Sequence, residues 1–211
     1  GEPILATAPG VVIDLIKKCD VEFLNLSEDE FEEHKVSGFT LQVPRTVTKA
    51  DFFINAAKLK TNDMVFLSIA MKNMFGVLAN KKKWELHDQL AEVLVFLNRT
   101  IRQDLIVVDG IVGMEGLGPI QGSPVDLGLI ISGLNPVTVD AVCCHIMDFN
   151  PYAVETLWRA YKAGIGEIDI GRIQVLGEKI ENVKKVFNHP TRSPKNVLTA
   201  LRTRLKMYLR K

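Results

Sequence analysis

Short β-branched and apolar runs, separated by stretches in which apolar side chains recur every three or four positions, set out an alternation of strands and helices along the chain. Residues 4–7 read as a first strand. Pro9 and Gly10 then lead into residues 11–19, where Val12, Leu15 and Ile16 fall on one helical face, and residues 21–26 read as the next strand. A β-α-β opening of this kind favours a parallel sheet with right-handed crossovers. Residues 27–33 are acidic and read as solvated. Residues 36–43 alternate as a β segment that Pro44 ends, a hairpin or an edge excursion. A strand is expected over 50–56, running into Lys58 to Thr61, and a buried helix over 64–74, which is apolar on nearly all sides. An amphipathic helix over 87–99 then returns the chain to a buried strand at 105–108.

The stretch after that strand is unusual. Gly113, Gly116, Gly118 and Gly122 lie between Gly110 and Gly128, interleaved with Pro119 and Pro124, and the ionisable side chains there are Glu115 and Asp126. Glycine at this density predicts a loop whose main-chain N–H groups can approach a ligand. A strand over 129–132 follows, and Asn135 with Pro136 supplies an N-cap and a first-turn proline for a helix over 137–147. Asp109, Glu115 and Asp140 are thereby brought toward strand ends, where α/β proteins bind ligands. A helix over 151–163, packed through Trp158 and Tyr161 and closed by Gly164 and Gly166, and a last strand or edge over 172–176 complete the pattern. The predicted class is α/β, a mostly parallel or mixed sheet flanked by helices, with a basic C-terminal helix.

The chain's 211 residues suit one sizeable domain whose core needs no disulfides. No apolar run approaches a membrane span, and the N-terminus lacks the order of a signal peptide. Cys19, Cys143 and Cys144 form no C-x-x-C spacing, which favours a reducing, cytoplasmic compartment. The net charge of +1 hides an asymmetry, because residues 184–211 carry nine Lys or Arg and no Asp or Glu. The expected division is an α/β domain over 1–183 and a basic helical tail over 184–211. Such a tail binds nucleic acid or an anionic surface, or packs as a final helix with its charges in solvent. Val197, Leu198, Leu201, Leu205, Tyr208 and Leu209 recur near helical spacing and favour packing over nucleic-acid binding.

No nucleophile-elbow, P-loop or zinc-protease signature is present. What remains is a set of opposite charges. Lys58, Lys60 and Lys72 with Asn73 suit a carboxylate or phosphate, while Asp109, Glu115 and Asp140 suit a cation, an ion pair or proton transfer. Lys72 is the most informative, since a lysine in an apolar helix must meet either an anion or a carboxylate such as Asp109 or Asp140. Cys143, Cys144 and His145 point about 100° apart on a helix and read as core packing, not a chelate.

Four segments carry a family resemblance: AKLKT at 57–61, LSIAMKNMFGV at 67–77, DGIVGMEGLGPIQGSP at 109–124 and GLIISGLNPVTVDAV at 128–142. Together they resemble the bacterial and archaeal family known as domain of unknown function number 362, over roughly residues 50–180. The resemblance implies a basic residue and a histidine near 81–87, hence Lys83 as a ligand-binding group and His87 as a metal ligand, with ordinary packing the alternative for His87. It also implies a histidine after AKLKT, where this chain has Asn62. Many members of the similar family add a ferredoxin-like segment with closely spaced cysteines; this chain has none, so no iron–sulfur cluster is expected from it alone. The resulting expectations are a pocket for an anionic small molecule or a phosphate-bearing or metal cofactor, with Glu115 or Asp109 as proton-transfer group, or a non-catalytic accessory domain that docks a ferredoxin-like partner.

Overall fold

Two sheets organise the residues that the computed structural model describes, which are 14, 16 and 18–190. The expected strand at 4–7, most of the helix at 11–19 and the apolar repeat at 197–209 lie outside them. In chain order the elements are β1 (Phe31–Val36), β2 (Phe39–Pro44), α1 (Arg45–Thr48), β3 (Ile54–Asn62), β4 (Phe66–Leu67), α2 (Ala70–Asn73), α3 (Leu90–Thr100), β5 (Leu105–Leu117), β6 (Gln121–Gly133), α4 (Pro136–Ile146), α5 (Glu155–Lys162) and α6 (Ile180–Val183). Short 3-10 turns occupy Met74–Val77, Lys83–Gln89, Pro151–Ala153 and Ile170–Arg172. β1 and β2 form a hairpin through Ser37 and Gly38, whose φ angles of 50° and 85° give the turn that matches strand twist.

The second sheet has the order β4-β3-β5-β6. β3 and β5 are parallel, pairing Ile54 with Leu105 and Lys58 with Asp109, while β4 and β6 run antiparallel to their neighbours. The fold is therefore α/β with a mixed sheet. One core joins Leu59, Ile106 and Val108 of the sheet to Val137, Ala141 and Cys144 of α4 and Leu157 of α5. A second joins Leu41 and Val43 of β2 to Met74, Phe75, Leu90, Leu94 and Leu97. Along β6 the partly buried and exposed positions alternate, so one face of this edge strand packs and the other meets solvent.

The glycine-dense stretch is not a loop. It forms two 13-residue strands, paired from Ile106–Gly133 out to Leu117–Gln121. Its glycines serve close backbone approach: a Cβ at Gly118 would overlap the Thr61 carbonyl oxygen of β3, and one at Gly122 would overlap Met114 and the Glu115 carbonyl oxygen. The expected helix at 64–74 is reduced to four residues preceded by the short β4, because Asn62 turns the chain there. Its side-chain oxygen accepts the N–H groups of Met64 (3.0 Å) and Val65 (3.1 Å). The strand expected at 50–56 begins at Ile54 and carries Lys58 and Lys60 within it, and that expected at 21–26 is irregular. No strand forms at 172–176, which instead follows the turn Ile170–Arg172. β1 takes up part of the acidic segment that read as solvated. The Asn135 cap is as expected, accepting from Thr138 N at 3.0 Å with Pro136 in the first turn.

The first residues of the basic tail cross the body as an extended strap. Lys184 pairs with Asp148 at 2.6 Å, Lys185 N donates to Ile146 O at 2.8 Å, and Phe187 is buried with its N–H on Met147 O at 3.2 Å.

Candidate functional site

The α2 helix is too short to be stable by its own hydrogen bonds, and side chains from three other elements hold it. Asp140 of α4 accepts the N–H of Ala70 at 2.8 Å and of Met71 at 3.0 Å. Asn55 of β3 donates to Ala70 O at 2.9 Å, and Asn98 of α3 donates to Met71 O at 3.0 Å. Gln103 links the two amides, accepting from Asn55 Nδ2 at 2.7 Å and donating to Asn98 Oδ1 at 3.0 Å. Asn73 closes the network on Asn55 Oδ1 (2.8 Å) and Ala56 O (3.0 Å). Every buried amide in this chain of bonds has a partner, which is the condition for a polar core to be rigid.

Lys72 emerges from this fixed backbone. Its Nζ lies 4.4 Å from the centroid of the buried Phe75 ring. Burial above all, then repulsion by Lys60 and Lys83, lowers its pKa from the usual 10.5 to about 8. Lys83, whose Nζ donates to Gly76 O at 2.9 Å, is likewise held below its ordinary value by burial. His87 stands beside Phe75, ring centroids 5.9 Å apart; burial and the Lys72 charge lower its pKa, against smaller opposing effects of Asp88 and Asp63. Among the described residues none of Lys60, Lys72 and Lys83 is within ion-pair distance of a carboxylate.

The other candidates have different surroundings. Lys58 pairs with Asp109 at 2.7 Å on the exposed side of the sheet, and this bond, with the Ile111 N–H, holds the Asp109 carboxyl below the usual range. Asp140 is 3 % exposed, and burial raises its pKa from 3.8 to about 7 against the pull of its two N–H donors. Glu115 accepts the N–H of Asn188 at 2.8 Å and its side-chain amide at 2.6 Å, so it fastens the strap to β5. Lys58 and Asp109 thus come together, while neither expected ion pair of Lys72, to Asp109 or Asp140, is found among the described residues. Lys60, Lys72, Lys83 and His87 are the set that comes together.

Cys143 and Cys144 are fully buried free thiols whose pKa is pushed well up by burial and the Asp140 charge, in keeping with core packing. Among the described residues no group of three or more His, Cys, Asp or Glu forms a metal-binding cluster. Sequence reasoning missed Asn55, Asn98 and Gln103; the available signal was an amide inside an apolar run, as in residues 90–100. A cavity of about 540 Å³ lies on the far side of β5, between the edge strand β6, α4 and residues 173–183. Its wall of Ile131, Val139, Val142, Ile146 and Leu176 is apolar and includes none of these lysines.

A curated relative is the Thylakoid-associated protein sll1697 of Synechocystis sp., 26% identical over 175 residues. That alignment covers 77% of this chain and 54% of the relative, so the chain spans about half of the relative's length. No solved structure matches the chain. No described helix is long and apolar enough to cross a membrane. The family model described as Domain of unknown function (DUF362) matches residues 11–145, more than half of the chain, and the chain belongs to that family.

Proposed function

We propose that the protein binds a small anion, a carboxylate or a phosphate ester, at Lys60, Lys72 and Lys83, with His87 at the rim. The observation that carries this reading is Lys72: a half-buried ammonium beside two more lysines, with an aromatic ring and no described carboxylate to offset it. Such a cluster costs stability in the empty protein, and an anion removes that cost. Three ammonium donors from three elements, β3, the amide-braced α2 and the turn Lys83–Gln89, suit the oxygens of such a ligand. Asp109 remains the proton-transfer candidate nearest the lysines in sequence register, through its pairing with Lys58. Glu115 and Asp140 already have backbone partners.

The docking alternative would use the acidic body or the basic tail as its contact, and most of that tail lies outside the described residues. The buried free thiols fit the proposed reducing compartment.

Calorimetry and thermal melting with inorganic phosphate and with citrate test the reading. Saturable binding that is weakened about tenfold or more by Lys72→Ala or Lys60→Ala, and left unchanged by Lys58→Ala, is the expected result, because only Lys58 already has a carboxylate partner. Equal effects of all three substitutions would instead mean non-specific attraction to positive charge.

A further inference from the structure

Lys72 combines three features that ion pairing alone does not need. Its amine rests against an aromatic face, it is flanked by Lys60 and Lys83, and a histidine, His87, shares the same ring. Desolvation and neighbouring cations are the two means by which a lysine is made a nucleophile at neutral pH. We propose that Lys72 condenses with the carbonyl group of a small 2-oxo acid or phosphorylated aldehyde, Lys60 and Lys83 holding the ligand's carboxylate or phosphate; this rests on the anion-binding reading above.

The chemistry balances without any further reagent. The neutral Nζ adds to the carbonyl carbon, forming a C–N bond as the carbonyl π pair moves to oxygen. The proton lost by nitrogen passes to that oxygen, and His87, whose pKa is lowered first of all by burial, is the group available to relay it. A proton taken from solvent, relayed by His87, then lets the C–O bond break, and water leaves with its oxygen as the nitrogen lone pair forms the C=N bond. The sum is neutral amine plus carbonyl plus one proton from solvent giving protonated imine plus water, and the protonated imine places on nitrogen the positive charge that the bound anion faces.

The groups around the amine favour the step. With a pKa of about 8, about one Lys72 in ten is neutral at pH 7, against about one in three thousand for an ordinary lysine. The network of Asp140, Asn55, Asn98 and Gln103 fixes the backbone on either side of the preceding residues, so the amine is positioned before a ligand arrives.

The experiment is reductive trapping of the whole chain with pyruvate and borohydride, followed by intact mass and peptide mapping. Acetone serves as the carbonyl without a charge, and Lys72→Arg as the variant that keeps the charge and loses the nucleophile. The expected result is one adduct on Lys72, formed at least about tenfold faster than on any other lysine because of its larger neutral fraction. It is absent in Lys72→Arg, much slower with acetone and suppressed by phosphate. Adducts spread evenly over the lysines, or none at all, while phosphate still raises the melting temperature, overturn the inference and leave anion binding standing. An adduct on Lys72 that phosphate does not suppress and that acetone forms equally well overturns the anion's role. No adduct and no phosphate effect remove both.

Discussion

Asp140 of α4 accepts the N–H of Met71 at 3.0 Å, capping a helix that lies about seventy positions earlier in the chain. Asn55 and Asn98 take the carbonyls of the same two residues, so the four backbone groups of Ala70 and Met71 all end on side chains from β3, α3 and α4. A four-residue helix is thereby made into a rigid mount for Lys72.

Replacing Asp140 by Asn removes one acceptor and sets an amide against an N–H donor. A stability loss of about 1–3 kcal/mol at pH 7 is expected from urea unfolding. The pH dependence has a definite sign. The folded pKa is raised from 3.8 to about 7, so between those values the folded chain binds more protons than the unfolded one. This contribution to stability is fully present below about pH 4 and is lost as pH rises through about 7. Asp140→Asn abolishes that slope; an unchanged slope would mean that another group causes it.

Lys72 has the opposite signature. Its folded pKa lies below the unfolded value, so the unfolded chain binds more protons between about pH 8 and 10.5, and stability rises with pH across that window. Lys72→Met removes the slope and, by replacing a desolvated ammonium with an apolar side chain, stabilises the protein at pH 7 by roughly 1–3 kcal/mol. The same variant no longer gains melting temperature from phosphate. A Met variant less stable at pH 7 would show that the ammonium is well paired in the empty protein.

Much of this architecture is written in local patterns. The Asn135-Pro136 cap and the apolar run at 105–108 both announce their elements, and both form. The long hairpin did not announce itself, because its glycines are chosen for tertiary contact with Thr61 and Met114, information that no local window contains. The same holds for the site. Lys72 stands out as a charge in an apolar stretch, but its neighbours Lys60 and Lys83 come from elements whose meeting depends on the crossover from β3 to β5. Asp140 and Glu115 attract attention by residue type, yet only coordinates reveal that backbone N–H groups occupy both.

Glu115 fastens the strap through the backbone and side-chain amides of Asn188, and Gly116 N returns a bond to Asn188 O at 3.1 Å. Glu115→Ala is expected to cost about 1–2 kcal/mol, the range for a hydrogen-bonded charge near the surface. Limited proteolysis should then cut near residue 188 sooner than in the parent chain. Phosphate binding stays the same, since the described bonds of residues 184–190 run to Asp126, Glu115, Gly116, Ile146, Met147 and Asp148 and to none of the three lysines. A loss of binding in this variant would tie the strap to the site.

Asn55 gives the sharpest test of the brace. Its side chain makes three bonds, to Ala70 O, Gln103 and Asn73, at 2 % exposure. Truncation to Ala leaves all three partners without it in a site that water enters poorly, and a loss of roughly 2–4 kcal/mol follows. Asn55→Asp supplies two acceptors but no donor, so Ala70 O and Gln103 Oε1 face a carboxylate and the destabilisation is at least as large. Because α2 is mounted on this amide, phosphate affinity should drop in Asn55→Ala even at temperatures where the chain remains folded, measured by calorimetry alongside far-UV circular dichroism. Full affinity in a folded Asn55→Ala protein would mean that Lys72 is held by the Phe75 ring alone.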